Sequence, residues 1–302
     1  MEIDTPDVRL SCEVSGEGPL VICAHGFPDC MRSFREQERP LREAGFRVAM
    51  PAMRGYLPSG VARSGRYDAA ALANDLVAVA DALSPDQPVH LVGHDWGAIA
   101  AYAACALAPT RFATLATMAV PHLRVSTPRF AHPRQLRRSW YIAMIQLPVI
   151  GERRLRADDF ALIERLWRDW SPGYRCPLEE MQHIKDAIGA RVPEVLGYYR
   201  ALVRSGAPAA TRLLQRRVTV PSLYLHGVDD GCVGAELARS LEPAYRAGVQ
   251  VRIVADAGHF LHIEVAAPIA GPGIVDPLAG GCHAHAADHW SCRQLQVVTP
   301  VD

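Results

Sequence analysis

The pentapeptide Gly93-His94-Asp95-Trp96-Gly97 constrains the fold of this chain more than any other stretch. An apolar run at 89–92 precedes it and an alanine-rich run at 98–104 follows it, so we predict a buried strand, an abrupt turn and a helix. Gly93 and Gly97 supply the space that so tight a turn needs. Asp95 is then presented at the carboxyl end of the strand. An aspartate here can also be an ordinary helix N-cap, and this stretch alone leaves both interpretations open.

The chemistry of a carboxylate at this position differs from that of a hydroxyl. Esterases and lipases carry serine at the apex of a glycine-x-nucleophile-x-glycine elbow, where this chain carries Asp95. A carboxylate is ionised at neutral pH and can displace a leaving group from sp3 carbon, which forms an alkyl ester of the enzyme. Release of that ester needs water, a base and donors that stabilise the oxyanion.

Composition excludes several classes of partner. The 302 residues include 32 basic and 32 acidic ones, with a formal net charge of +0, so neither nucleic acid nor a membrane is expected as a partner. The first residues carry no signal pattern and no apolar run reaches transmembrane length, so we predict a cytoplasmic protein. The 8 cysteines form no C-x-x-C pair and are expected as thiols.

The hydrophobic pattern predicts an α/β fold with a mostly parallel sheet flanked by helices. Strands are predicted at 8–14, 20–24, 46–50, 89–92, 115–120, 218–225 and 249–254, with a helix ending at Leu83. Ligands of such sheets bind at the carboxyl ends of the strands. We therefore assign 1–123 and 218–302 to an α/β core, whose tail from about 265 is atypical.

The segment 124–217 contains helical patterns and no strand of the core type. Helices are predicted at 140–147, 160–170, 178–188 and 193–203. An aromatic stripe on the second of these, from Phe160 to Trp170, indicates core packing. We predict that 124–217 forms a helical lid over the strand ends, which would exclude water and contribute side chains to the site.

A loop after the strand at 20–24 is predicted to supply an oxyanion hole. It contains His25, Gly26 and Phe27, followed by a proline that fixes the turn. The amide of Phe27 can point into the same space as that of Trp96, and two such amides would stabilise an oxyanion. His25 is expected to be a structural side chain that hydrogen-bonds the loop.

An acid and a histidine follow the last two strands. Asp229 and Asp230 leave the strand at 218–225, and His259 follows the strand at 249–254. Either carboxylate can orient the histidine on this evidence. The resulting chain order of Asp95, acid and histidine is that of the α/β hydrolases.

Several separated motifs agree with one family. They are His25-Gly26-Phe27-Pro28, Arg54-Gly55-Tyr56 with Ser59, Gly93-His94-Asp95-Trp96-Gly97-Ala98, Tyr141 with Gln146 and Pro148, Tyr198-Tyr199-Arg200, Gly227 to Asp230, and Gly258-His259-Phe260. On these motifs, which span about residues 20–264, the chain resembles the epoxide hydrolases of the α/β-hydrolase superfamily. The resemblance implies an α/β-hydrolase fold with an inserted helical lid.

The resemblance also implies roles for individual residues. Asp95 would be the nucleophile, His259 the base and Asp230 the orienting acid, which the register favours over Asp229. Tyr141 and Tyr199 would hydrogen-bond the epoxide oxygen, and Tyr198, the competing choice for the latter, is expected to pack. Substrate would be bound by Phe27, Trp96, Tyr141 and Tyr199.

The implied reaction converts an epoxide and water to a vicinal diol. An alkyl ester on Asp95 would form first, and water activated by His259 would then hydrolyse it, with Phe27 and Trp96 amides as the oxyanion hole. No metal and no organic cofactor is expected.

Two alternative functions remain at this stage. A haloalkane dehalogenase would use the same Asp95, with Trp96 donating to the halide, but Phe27 and the paired lid tyrosines favour the epoxide. The other alternative is a non-catalytic or disabled hydrolase-like protein, because glycines and prolines after Glu264 break the amphipathic helix usual at this point. A homodimer could cover the apolar surface that this leaves.

The tail also contains possible zinc ligands. They are Cys282, His283, His285, His289 and Cys292. Their spacing matches no zinc-finger pattern, so a loosely packed tail without metal is the favoured interpretation.

Overall fold

A computed structural model describes residues 1–203 and 208–265 of the chain. The hypotheses about the tail after residue 265, including its possible zinc ligands, fall outside these residues. None of the helices within the described ranges is both long and apolar enough to cross a bilayer.

A sheet of eight strands forms the centre of the described structure, in the order β1-β2-β4-β3-β5-β6-β7-β8. The strands are β1 (Glu2–Asp4), β2 (Arg9–Ser15), β3 (Leu20–Ala24), β4 (Arg47–Pro51), β5 (Val89–His94), β6 (Phe112–Met118), β7 (Ser222–Gly227) and β8 (Val249–Val254). β1 and β2 pair antiparallel, and β2 is antiparallel to β4. All neighbours from β4 to β8 are parallel. The predicted mostly parallel α/β architecture is confirmed.

Helices cover both faces of this sheet. The helices of the described residues are α1 (Arg35–Glu43), α2 (Ala69–Leu83), α3 (Trp96–Leu107), α4 (Leu123–Phe130), α5 (Pro133–Arg138), α6 (Trp140–Ile145), α7 (Ile150–Trp170), α8 (Leu178–Gly189), α9 (Val192–Val203), α10 (Pro208–Gln215) and α11 (Leu261–Glu264), and not all of them lie on the sheet. α2 and α3 pack in one apolar cluster, and the second cluster includes Phe34 and Leu41 beside β4. The small side chains of α3 let it lie close to the sheet, with almost every residue buried.

Several strands differ from the predicted bounds, and β6 and β7 differ most. β6 ends at Met118 instead of residue 120, because Ala119 has a φ of 66° that breaks the extended backbone. β7 begins at Ser222 instead of residue 218, and Val218 makes only an isolated bridge to Tyr245. Pro221, which has no N–H to donate, precedes its first residue. The apolar pattern extends beyond the ladder at these ends.

The helices α4 to α10 lie between β6 and β7 in sequence, and α7 and α9 contact loops at the carboxyl ends of the strands. Trp167 of α7 donates from Nε1 to the carbonyl of Pro28 over 2.7 Å. The hydroxyl of Tyr198 on α9 donates to the carbonyl of Arg54 over 2.7 Å. These contacts place α7 and α9 over the strand ends where a site is expected. The division of the chain at residues 123 and 218 stays a prediction.

α7 contains a break in its backbone. Residues 157–160 leave helical geometry, and Asp158, Asp159 and Phe160 have φ values of 50°, 52° and 61°. The predicted helix at 160–170 corresponds to the half that follows this break. Lys185 of α8 holds the junction, because its Nζ lies 2.8 Å from Asp159 and 2.7 Å from Glu164.

Candidate active site

The elbow between β5 and α3 holds Asp95 in a strained conformation, with φ 51° and ψ −115°. A Cβ on Gly97 would lie 1.9 Å from the carbonyl oxygen of Ala24, and one on Gly93 would lie 2.5 Å from that of Gly97. Only glycine fits at either position. The Asp95 side chain makes no capping hydrogen bond to α3, so the helix-cap interpretation is wrong.

The loop after β3 contacts the carboxylate of Asp95 directly. The amide of Phe27 donates to Oδ1 of Asp95 over 2.8 Å. A Cβ on Gly26 would lie 2.4 Å from the Asp95 Cβ, so this approach also requires glycine. Trp96 is the first residue of α3, and its amide has no acceptor within the helix. The Phe27 amide therefore contacts the carboxylate, and the Trp96 amide directly follows the nucleophile in sequence.

An acid and a histidine complete a triad with Asp95. Nδ1 of His259 lies 2.9 Å from Oδ2 of Asp230, and Nε2 of His259 lies 3.7 Å from Oδ2 of Asp95. Oδ1 of Asp230 accepts from the amides of Cys232 and Val233 over 2.7 and 2.8 Å. These two bonds fix the carboxylate and leave Oδ2 for the histidine.

The structure separates the two adjacent carboxylates that the sequence left as alternatives. Asp230 is 2% exposed and contacts His259. Asp229 is exposed, and its amide donates to the carbonyl of Ala257. The geometry therefore agrees with the prediction for Asp230 and not for Asp229.

Burial and neighbouring charges shift the pKa values of His259, Tyr141 and Tyr199. Burial opposes protonation of His259, but the carboxylates of Asp230 and Asp95 outweigh it and raise the pKa of the imidazole above its ordinary value. Burial raises the pKa of Tyr141 and of Tyr199 well above 10. Both phenols therefore keep their protons at neutral pH and can donate them.

Tyr141 of α6 and Tyr199 of α9 lie beside the elbow. The ring of Tyr199 makes edge contacts with Trp96 and Phe27, at centroid distances of 5.1 and 5.3 Å. The ring of Tyr141 lies 5.6 Å from that of Tyr199. The hydroxyl of the third tyrosine, Tyr198, donates to the backbone carbonyl of Arg54. Among the described residues it makes no hydrogen bond to the Asp95 carboxylate.

Sequence reasoning missed two residues of this site. The carbonyl of Trp170 accepts from the amides of His259 and Gly231, and its ring lies 5.1 Å from those of His259 and Tyr141. The Sγ of Cys232 lies 3.5 Å from the hydroxyl of Tyr141. Trp170 was predicted only as core packing. The position of Cys232, two residues after the acid, was the available signal.

A second buried cluster lies next to the triad. Asp29, His94 and His262 offer potential metal-ligating atoms within 4.8 Å of one another. Each of these side chains also makes hydrogen bonds within the protein. His25 is likewise buried, and its Nε2 accepts from the amide of Met53 over 3.0 Å, in agreement with its predicted structural role.

Comparison with known proteins identifies the family. The model of the alpha/beta hydrolase fold matches residues 19–148. Epoxide hydrolase A of Mycobacterium tuberculosis is 29% identical over 305 residues, covering 87% of this chain and 92% of that protein. Epoxide hydrolase 3 of Xenopus tropicalis is 30% identical over 266 residues, covering 84% of this chain and 70% of that protein.

A solved structure supports the fold. The crystal structure of a putative epoxide hydrolase from Klebsiella pneumoniae superposes with a TM-score of 0.81 at 23% identity, over 91% of this chain and 96% of that one. The predicted α/β-hydrolase fold is confirmed. The chain belongs to the epoxide hydrolase family of the α/β-hydrolase superfamily.

Proposed function

We propose that this protein is an epoxide hydrolase that converts a small-molecule epoxide and water to a vicinal diol through an alkyl ester on Asp95. The observation that carries the proposal is the placement of the Asp95 carboxylate between the Phe27 amide at Oδ1 and the His259 imidazole facing Oδ2. The names of the relatives support the substrate class.

In the first half-reaction the two carboxylate oxygens of Asp95 have different roles. Oδ1 is held by the Phe27 amide, so Oδ2 attacks an epoxide carbon and the carbon–oxygen bond of the ring breaks. The leaving oxygen stays attached to the neighbouring carbon. Tyr141 and Tyr199 donate hydrogen bonds and a proton to it, since an alkoxide is otherwise a poor leaving group.

In the second half-reaction Oδ1 becomes the carbonyl oxygen of the ester. His259, oriented by Asp230, takes a proton from water as that water attacks Cγ of Asp95. The amides of Phe27 and Trp96 stabilise the oxyanion, and its collapse releases the diol oxygen, which takes up the proton from His259. The second proton of the water leaves the regenerated Asp95 carboxyl and restores the tyrosine that gave up its proton in the first half-reaction.

Ester formation itself prepares the base. The Asp95 carboxylate is one of the two charges that raise the pKa of His259. Conversion to a neutral ester removes that charge, so the pKa of the imidazole falls at the step where a neutral base is needed. Alkylation would thus activate hydrolysis without a conformational change.

A single turnover in water enriched in 18O tests the covalent route. Enzyme in excess over an aryl or alkyl epoxide is expected to place the label in Asp95 and an enzyme oxygen in the diol, with the Asp95→Ala variant inactive. Label found directly in the first-turnover diol would exclude the ester. Chloride release from haloalkanes with no diol from epoxides would favour a dehalogenase instead.

The described residues also bear on the disabled-protein alternative. The contacts of Phe27 with Asp95 and of Asp230 with His259 are both made between described residues of the core. This favours an active enzyme. A homodimer and a cytoplasmic location stay predictions.

A further inference from the structure

A buried polar network lies beside the triad and connects the elbow and the segment that carries His259 with residues 29–33 after β3. His94, the residue before the nucleophile, lies 2.9 Å through Nε2 from the carbonyl oxygen of His259. Its ring packs against that of His262 at 4.5 Å. Nε2 of His262 is 2.8 Å from the hydroxyl of Ser33, which donates to Asp29 over 2.6 Å. All of these side chains are buried.

The partners of the network determine where its protons lie. A carbonyl oxygen can only accept, so Nε2 of His94 must carry the proton that it donates to His259. Ser33 gives its proton to Asp29, so its oxygen accepts from Nε2–H of His262. Burial lowers the pKa of His94 well below 6.5 and that of His262 to about 3, so both imidazoles are neutral at working pH.

The hydrogen bond from His94 to the His259 carbonyl links the strand that carries the nucleophile to the loop that carries the base. His94 ends β5 immediately before Asp95, and its imidazole reaches the loop after β8. The backbone of His259 is held twice, since its amide donates to Trp170 over 3.0 Å and its carbonyl accepts from His94. The imidazole of His259 then stands 3.7 Å from Asp95, too far for a direct hydrogen bond.

We propose that His94 is a positioning residue for the hydrolytic half-reaction. Its Nε2–H holds the backbone of His259 in place and thereby sets the distance between the His259 imidazole and Asp95. The inference rests on the proposed function. Ester formation depends on Asp95 and the lid tyrosines, whereas ester hydrolysis depends on the place of His259. Loss of the bond should therefore slow the second step selectively.

The experiment compares two substitutions at position 94 with a matched control. His94→Met removes the donor with little change in volume, and His94→Gln restores an N–H at the same number of bonds from Cα. His90→Met is the control, since His90 lies on the same strand but bonds Thr114 over 2.8 Å, away from the triad. Stopped reactions under single-turnover conditions, followed by intact-protein mass spectrometry, give the rates of alkylation and of ester hydrolysis.

We expect ester hydrolysis to slow by about tenfold or more in His94→Met, with alkylation changed by less than about threefold. The alkyl-enzyme should accumulate, the pH profile of hydrolysis should shift, and His94→Gln should recover most of the rate. His90→Met should hydrolyse its ester as the wild type does. A purely structural role of His94 would instead slow both steps together and lower the melting temperature.

Three outcomes would overturn the proposal. They are wild-type hydrolysis in folded His94→Met, equal loss in His94→Met and His94→Gln, and equal loss of both half-reactions. If the wild type opens no epoxide, the proposed function fails, and positioning is then tested by the NMR signal of the His259 Nδ1 proton. That signal should shift in His94→Met and not in His90→Met, and an unchanged signal would refute the role of His94.

Discussion

Replacing Asp230 by asparagine should leave the alkylation step and stop the hydrolysis step. The amides of Cys232 and Val233 donate to Oδ1 of Asp230, so the asparagine must place its carbonyl oxygen there. Its NH2 group then occupies the position of Oδ2, 2.9 Å from Nδ1 of His259, and donates to it. The imidazole proton moves to Nε2, and the nitrogen that faces the ester can no longer accept a proton from water.

The size of the effect follows from this tautomer. An aspartate-to-asparagine change that forces the wrong tautomer costs serine hydrolases about 10,000-fold in rate. We expect a loss of about 1,000-fold or more in ester hydrolysis by Asp230→Asn. Because Asp95 is unchanged, intact-protein mass spectrometry should find the enzyme heavier by one substrate molecule within the first turnover. A variant that turns over at the wild-type rate, or one that never forms the adduct, would refute the reasoning.

Asp230→Asn should also change how the free energy of unfolding depends on pH. The folded pKa of His259 is raised, so its protonation stabilises the native state fully below the unfolded value of about 6.5. That contribution is lost as the pH rises through the raised folded pKa. Asp230→Asn removes the main charge responsible, so the wild-type advantage in urea unfolding should be largest near pH 6 and shrink under alkaline conditions. An advantage that grows with pH would contradict the assignment.

Three further experiments test the site and the contacts that support it. Tyr199→Phe should slow alkylation by about 10- to 100-fold in rapid-quench assays. Tyr198→Phe should leave that rate intact, because the Tyr198 hydroxyl donates to the backbone of Arg54, and should lower the free energy of unfolding in urea by only about 1 kcal/mol. Gly26→Ala puts a methyl group 2.4 Å from the Cβ of the elbow aspartate and should lower kcat/KM by about 100-fold or more, with circular dichroism showing a folded protein; normal activity would contradict this geometry. Arg54→Met leaves the buried carboxylate of Asp75 without its two guanidinium hydrogen bonds and should lower the free energy of unfolding by about 3–5 kcal/mol. The double variant Arg54→Met with Asp75→Leu should recover much of that loss. No recovery would mean that the unpaired charge is not the cause.

Local patterns explain why much of this architecture was predictable from the sequence. The elbow, the oxyanion loop and the acid and histidine loops each follow a short apolar run, and parallel strands bring such loops to one edge of a sheet. The close backbone approaches at Gly26 and Gly97 are also visible in the sequence, because only glycine fits at these positions. These features depend on neighbours within a few positions.

Contacts made across long stretches of sequence were not predictable in the same way. His94 reaches the backbone of His259, and Trp170 receives the amides of two core loops, but nothing near these residues in sequence specifies their partners. The helical periodicity of α7 indicated that Trp170 is buried but did not indicate which residues it packs against. The break at Ala157–Phe160 was also hidden, since its sequence contains no glycine or proline. The ends of β6 and β7 were missed because apolar residues continue beyond the ladder.

The carbonyl of Trp170 has a consequence for protein engineering. Exchanging lids between related enzymes is a direct way to change substrate range, and a natural junction would lie at the ends of the inserted helices. Here the last residue of α7 receives the amides of Gly231 and His259, so it fixes the loops that carry the acid and the base. A chimera whose grafted insertion does not place a backbone carbonyl at this point would lose the alignment of its own triad. Grafts should therefore keep the C-terminal turn of α7 with the recipient core and vary the helices around it.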